Sequence, residues 1–154
     1  SFGKLITYYS DIEDPTIILL FGDHQPALDE SFYEYLYGGN DRTLLENLQK
    51  KYTVPFVIWA NYDIEEKDNE FLSANYLSSY LLDIANVRLS PYNQYLLNLH
   101  KKIPAMNIFG YLGNDGNWYD YDTKTKYTND LDDYQFIQYN NIFDKKNKVN
   151  KFFK

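Results

Sequence analysis

The sequence predicts an α/β fold, and three observations carry that prediction. Thr16-Ile17-Ile18-Leu19-Leu20-Phe21 is short, uninterrupted and rich in β-branched and aliphatic residues. Bounded by Pro15 and Gly22, it reads as a strand buried on both faces, the kind found in parallel sheets. Val54 to Ala60, Val-Pro-Phe-Val-Ile-Trp-Ala, is a second such run. Around them lie segments whose apolar residues recur at helical spacing. Strands alternating with helices point to helices layered on a sheet. Two continuous strands are few, so the sheet is small or the chain is a piece of a larger fold.

Each element has its own local warrant. Phe2 to Ser10 clusters Leu5, Ile6, Tyr8 and Tyr9 as a short helix, and Pro15 prevents its continuation. Asp29 to Tyr37 suits a helix closed by Gly38. Thr43 and Glu46 have the spacing of a capping box ahead of a helix over about Leu44 to Lys51. Pro55 has no N–H to donate, so the second strand starts there or lies at an edge. Asp63 to Glu70 is acidic and loop-like. Ser73 caps a helix with Leu77, Leu81 and Ile84 on one face. Ser90-Pro91 opens another, with serine at the cap and proline where no N–H is needed. Its apolar stripe is Tyr92, Tyr95, Leu96 and Leu99. Asn107 to Leu112 and Asn117 to Asp122 flank Asn114-Asp115-Gly116 as a β-hairpin. A last helix is expected over Leu131 to Phe143.

The chain has 154 residues and a mass of 18.4 kDa, which suits one domain of roughly 100–200 residues. Residues 1–154 are therefore expected to form a single portion. The end, residues 144–154, carries five lysines against one acid and reads as a basic, frayed tail. The other residues sum to −11, the whole chain to −7. That balance argues against nucleic acid, which attracts a basic surface. The absence of cysteine excludes disulfide scaffolds, thiol catalysis and iron–sulfur sites. No apolar run approaches the ~20 residues of a membrane span.

Aromatic residues make up 19% of the chain, with 17 Tyr and 10 Phe. Packing is their ordinary use, because rings dominate cores by area. The other use is stacking on the sugars of a cell-wall polymer, with Trp59, Trp118, Tyr119 and Tyr121 as the candidates. A non-catalytic glycan-binding or structural module is accordingly the alternative function.

The segment that points to chemistry is Gly22-Asp23-His24-Gln25-Pro26, where the first strand ends. In open α/β sheets ligands bind outside the carboxyl ends of strands. Asp23 offers a hard anionic oxygen and His24 a neutral nitrogen, a mixture that suits Zn²⁺ or Mn²⁺. Neighbours on a regular strand point to opposite faces. Both reach one ion only where the strand has turned, which Gly22 permits; with two ions they could serve one each. The bland alternative is a helix cap beside a satisfied histidine. His100 sits near a helix C-terminus, where an imidazole complements the dipole. Asp29, Glu30 and Glu34 read as an acidic first turn. No Gly-x-Ser-x-Gly elbow and no Gly-rich phosphate loop is present.

Ile17 to Pro26 resembles the second metal-binding segment of the lipoteichoic acid synthase-like sulfatases, a Gram-positive branch of the alkaline phosphatase superfamily. Val54 to Tyr62 resembles their next core strand. Ser73-Ala74-Asn75-Tyr76-Leu77 through Ser90-Pro91 resembles the helix pair behind it, and Tyr134-Gln135 through Tyr139 and Phe143 the closing helix. The resemblance implies a partial alkaline phosphatase-like sheet flanked by helices, with a C-terminal β-hairpin and helix. It implies Asp23 and His24 as ligands to a divalent cation, Mn²⁺ foremost, with Zn²⁺, Mg²⁺ or Ca²⁺ as the others. The Thr or Ser nucleophile of such enzymes lies upstream of these segments. The chain is thus expected to be a C-terminal portion, inactive alone and holding a metal weakly if at all. The implied activity is transfer of phosphoglycerol, or cleavage of phosphate or sulfate esters, on lipid-linked or glycopolymer substrates. The implied location is the outer face of the cell membrane, in a membrane-anchored protein. The implied partner is the rest of the catalytic domain. Strands at a cut sheet edge would also invite a second copy, a dimer without biological meaning.

Overall fold

The computed structural model describes residues 1–38 and 44–154. The chain divides into two compact units, Ser1–Asp68 and Asn69–Lys154.

The first unit contains α1 (Phe2–Ser10), β1 (Ile17–Phe21), α2 (Glu30–Leu36), α3 (Leu45–Lys51) and β2 (Phe56–Ala60). The expected helices and strands are all present, with β2 starting just after Pro55. Helix α2 ends before Gly38, whose φ of +62° suits a residue without Cβ. The Thr43 half of the expected capping box lies outside the described residues, and the N-cap of α3 is Leu44.

The sheet departs from expectation. β1 pairs with β2 antiparallel, from Ile17 opposite Ala60 to Phe21 opposite Phe56. Neither strand is buried on both faces: Leu20, Phe21 and Val57 stay about half exposed. The composition of a strand records how much apolar surface it must hide. It does not record which neighbour runs beside it or in which direction.

Two side-chain amides brace the ends of this ribbon. At the start of β1, Asn61 accepts from the Thr16 N–H at 2.8 Å. Its Nδ2 donates to the carbonyls of Ile12, at 2.8 Å, and Asp14, at 3.0 Å, with that of Tyr9 at 3.2 Å. The turn between α1 and β1 is therefore closed by one residue from the far end of β2. Gln25 does the same beyond the end of β1, as described below.

The second unit contains α4 (Ala74–Ile84), α5 (Pro91–His100), β3 (Ala105–Asn107), β4 (Gly110–Leu112), β5 (Trp118–Tyr119), α6 (Thr128–Ile142) and α7 (Asn150–Phe153). Strands β3, β4 and β5 form an antiparallel meander. The hairpin around Asn114-Asp115-Gly116 is present, with Gly116 at φ +80°. The segment expected to be one strand over Asn107 to Leu112 instead splits into two. Asn107 Oδ1 accepts from the Phe109 N–H at 2.9 Å, a side-chain turn that reverses the chain at Ile108.

Ser90 caps α5 as expected, accepting from the Asn93 N–H at 3.2 Å beside Pro91. Ser73 sits at the N-cap of α4, but its hydroxyl donates to Asn75 Oδ1 instead of capping. The buried face of α4 is Tyr76, Leu77 and Tyr80, with Leu81 and Ile84 half-buried at its margin.

The core of this unit is Tyr76, Leu96, Leu99, Ile103, Tyr111, Tyr127 and Tyr134. Four of those seven are tyrosines, so most of the aromatic surplus that is fully buried serves packing. Tyr111 stacks on Tyr119 at 5.5 Å and meets Tyr127 edge-on at 6.0 Å. Gly113 lies against the Tyr127 ring, where a Cβ would come within 2.5 Å of a ring carbon. At the basic end, Phe153 and Phe152 of α7 pack on Tyr92 of α5. Lys148 Nζ donates to the carbonyl and side chain of Asn141.

Candidate metal centre in the Gly-Asp-His turn

Strand β1 ends at Phe21 and the chain turns at once. The Gly22 N–H donates to Pro55 O at 3.0 Å, the last rung of the ribbon. A Cβ on Gly22 would stand 3.1 Å from Val54 Cβ, so glycine is favoured here by close approach. Gly22 is not among the residues with positive φ.

Past that rung the backbone leaves the strand, and Asp23 and His24 come to the same side. Asp23 Oδ1 accepts from the His24 N–H at 2.9 Å. Its other oxygen, Oδ2, lies 3.6 Å from His24 Nε2. His24 Nδ1 is 2.9 Å from Gln25 O. A carbonyl only accepts, so Nδ1 carries the proton and Nε2 keeps its lone pair in the neutral ring. Gln25 fixes that carbonyl in place. Its Nε2 donates to Thr53 O at 2.5 Å and to Lys50 O at 3.2 Å, tying the turn to the end of α3. Both functional side chains are open to solvent, His24 at 78% and Asp23 at 84%.

The pair fits a divalent ion as two of its ligands. Donors about 2.0–2.2 Å from one ion stand no more than twice that apart, and 3.6 Å lies within the limit. A hard carboxylate oxygen with an imidazole nitrogen suits Mn²⁺ or Zn²⁺. Among the described residues no group of three or more His, Asp or Glu could hold an ion, so those residues alone do not complete a donor set.

The other sequence candidates lie elsewhere. Asp29 is the N-cap of α2 and Glu30 is in its first turn, with Glu34 one turn on. His100 is the last residue of α5; its Nε2 is 3.4 Å from Phe71 O and its ring packs on Tyr76. Of the aromatic candidates, Trp59 is half-buried in β2. Trp118 packs edge-on against Phe71, and the Tyr119 hydroxyl donates to Asp115. Tyr121 alone of the four is exposed. Sequence reasoning missed the bracing amides, Gln25 and Asn61, because their partners are carbonyls 25 to 52 residues away. No local pattern announces such a bond.

Residues 1–87, which contain the ribbon and the Asp-His turn, match the protein family described as Sulfatase. The chain belongs to the sulfatase family. Its fold is that of part of a larger relative. It is similar, at 20% identity and a TM-score of 0.66, to the Streptococcus pyogenes phosphoglycerol transferase GacH solved with sn-glycerol-1-phosphate. The alignment covers 99% of this chain and 35% of that one. A Rhizobium meliloti (strain 1021) protein named for cyclic beta-1,2-glucan modification is 24% identical over 159 residues. There the match covers all of this chain and 25% of its relative. The sulfatase-family chain thus spans between a quarter and about a third of the proteins it resembles. Among the described residues, no helix is long and apolar enough to cross a membrane.

Proposed function

We propose that this chain supplies the Asp-His metal ligands of a phosphoglycerol transferase or sulfatase-like phosphoesterase acting on cell-envelope polymers. The observation that carries the reading is the Gly-Asp-His turn. An acid oxygen and an imidazole nitrogen stand 3.6 Å apart at a strand end, within the segment that matches the sulfatase family. A divalent cation, Mn²⁺ in the first place, would supply Lewis acidity and charge neutralisation when bound.

The residues of the chain have separate parts in this reading. Asp23 Oδ2 and His24 Nε2 hold the ion. Gln25 is a positioning residue: its amide fixes the backbone carbonyl that takes the Nδ1 proton, which leaves Nε2 free as donor. The remaining ligands and the Thr or Ser nucleophile come from outside these residues, so the chain alone is inactive. The exposed apolar residues of the ribbon, Leu20, Phe21 and Val57, are then the surface that the rest of the catalytic domain covers. The substrate is a phosphate or sulfate ester on a lipid-linked or glycopolymer carrier, met on the outer face of the membrane.

The test is turnover in the complete enzyme. Loss of a group that only orients a ligand costs 10–100-fold, so Asp23→Ala and His24→Ala should each lower kcat/KM by more than about 100-fold. Near-parental turnover in both variants overturns the reading.

A further inference from the structure

The second unit contains a cleft of about 660 Å³, a size in the range of small-molecule sites. One wall is the exposed side of α6, where Asp132 and Gln135 lie one turn apart and Gln138 follows. The facing wall includes Ile108, at the tip of the β3–β4 turn, and Tyr121. Asn75 completes the polar set at the first turn of α4.

The chemistry of this lining is selective. No Lys, Arg or His is among the lining residues, and the one ionisable acid is Asp132. A phosphate or sulfate group would meet a carboxylate with no cation to offset it. A neutral polyol would meet the reverse: amide and carboxylate groups that take hydroxyls, beside apolar faces that take C–H surfaces.

Two groups are prepared for a ligand. The Tyr121 ring is half exposed, yet its hydroxyl is anchored on Asn107 O at 2.6 Å and near Gly110 O at 3.3 Å. Its face is thereby held before binding, which removes an ordering cost. Asn75 is oriented by Ser73 and by the Tyr134 hydroxyl at 3.0 Å. The side chains of Asp132 and Gln135, in contrast, are exposed and hold no hydrogen-bond partner among the described residues. Ile108, 81% exposed, offers an apolar edge at the same cleft.

We propose that this cleft is a carbohydrate subsite that binds one or two neutral hexose units. The Tyr121 face and Ile108 take the sugar's C–H surface, and Asp132, Gln135 and Asn75 take its hydroxyls. The site is lined by residues of the second unit alone and uses no metal. It adds a recognition site for the glycan part of a polymer to a chain whose other unit carries the candidate metal ligands.

The test is titration of the ¹⁵N-labelled chain, followed by amide shifts in NMR. The probes are two glucose disaccharides, sophorose and cellobiose, and inorganic phosphate. The expected result is saturable shifts at Asn75, Ile108, Tyr121, Asp132 and Gln135 with at least one disaccharide, and none there with phosphate. The dissociation constant should fall in the roughly millimolar range of a few solvent-exposed hydrogen bonds. The double variant Asp132→Ala, Gln135→Ala removes exposed groups and should keep the parental melting temperature while weakening binding about tenfold. Tyr121→Ala should weaken it by at least as much, and Asp23→Ala should leave it unchanged. Absence of binding by both disaccharides, binding untouched by the double variant, or phosphate competing at the cleft overturns the proposal. None of those outcomes bears on the metal reading, which is judged by turnover.

Discussion

The two units divide structure and chemistry unequally. The second holds the core: seven buried residues in one cluster, tyrosine hydroxyls bonded across elements, and a serine-capped helix α5. The first holds the acid and imidazole that suit a metal, yet among its described residues the buried apolar ones are Tyr33 and Tyr37. Its ribbon leaves Leu20, Phe21 and Val57 half exposed, and hydrogen bonds from two amides brace its turns. Burial non-directionally rewards any tight packing, whereas a metal pair needs donors aimed at one point. The first unit spends hydrogen bonds on aim; the second obtains stability from area.

The largest expected effect breaks the contrast at its strong end. Ile103→Ala removes a fully buried side chain and should cost about 2–5 kcal/mol. Leu20→Ala, on the half-exposed ribbon, should cost less than about 1 kcal/mol. Denaturant midpoints of the two variants compare the units directly, and equal losses would erase the distinction.

A smaller effect sharpens the account of the turn. Gln25→Ala leaves the carbonyls of Thr53 and Lys50 without their side-chain donor and should cost about 1 kcal/mol. The change should speed amide exchange at residues 22–26 while the second unit keeps its protection. In ¹⁵N spectra the His24 ring should shift from protonation at Nδ1 towards a mixture of tautomers. An unaltered ring signal would remove Gln25 from the positioning role.

The smallest effect concerns charge in the hairpin of the second unit. Desolvation opposes ionisation of Asp115, but hydrogen bonds from Lys126, the Asn117 N–H and Tyr119 outweigh it and lower its pKa from 3.8 to about 2. A carboxylate depressed in the folded state stabilises above its unfolded pKa, and that contribution fades as pH falls through the folded value. The melting-temperature gap between the parent and Asp115→Asn should therefore be constant above pH 3.8 and close as pH falls towards about 2. A gap that persists at the acid end contradicts the hydrogen-bonded hairpin.

Several local elements of both units were legible from residues alone. Ser90-Pro91, Asn114-Asp115-Gly116 and the Pro15–Gly22 strand are local signals, set by backbone geometry within a few residues, and each appears where expected. The Asp-His turn was legible because a strand end, a glycine and two donor types coincide in sequence. The antiparallel partner of β1 was not, since pairing direction depends on how the chain returns after α2 and α3. The split at Ile108 escaped because one asparagine side chain makes the turn. The cleft escaped because Asn75, Ile108, Tyr121 and Gln135 meet only through tertiary packing. Of four candidate sugar-stacking rings, sequence could not separate exposed Tyr121 from the three that pack.

The central claim is that Asp23 and His24 bind one divalent ion. Anomalous diffraction from crystals of the complete catalytic domain grown with Mn²⁺ tests it most directly. The account predicts a manganese peak about 2.0–2.4 Å from both an Asp23 carboxylate oxygen and His24 Nε2. A fully occupied Mn²⁺ site that neither residue touches would contradict it.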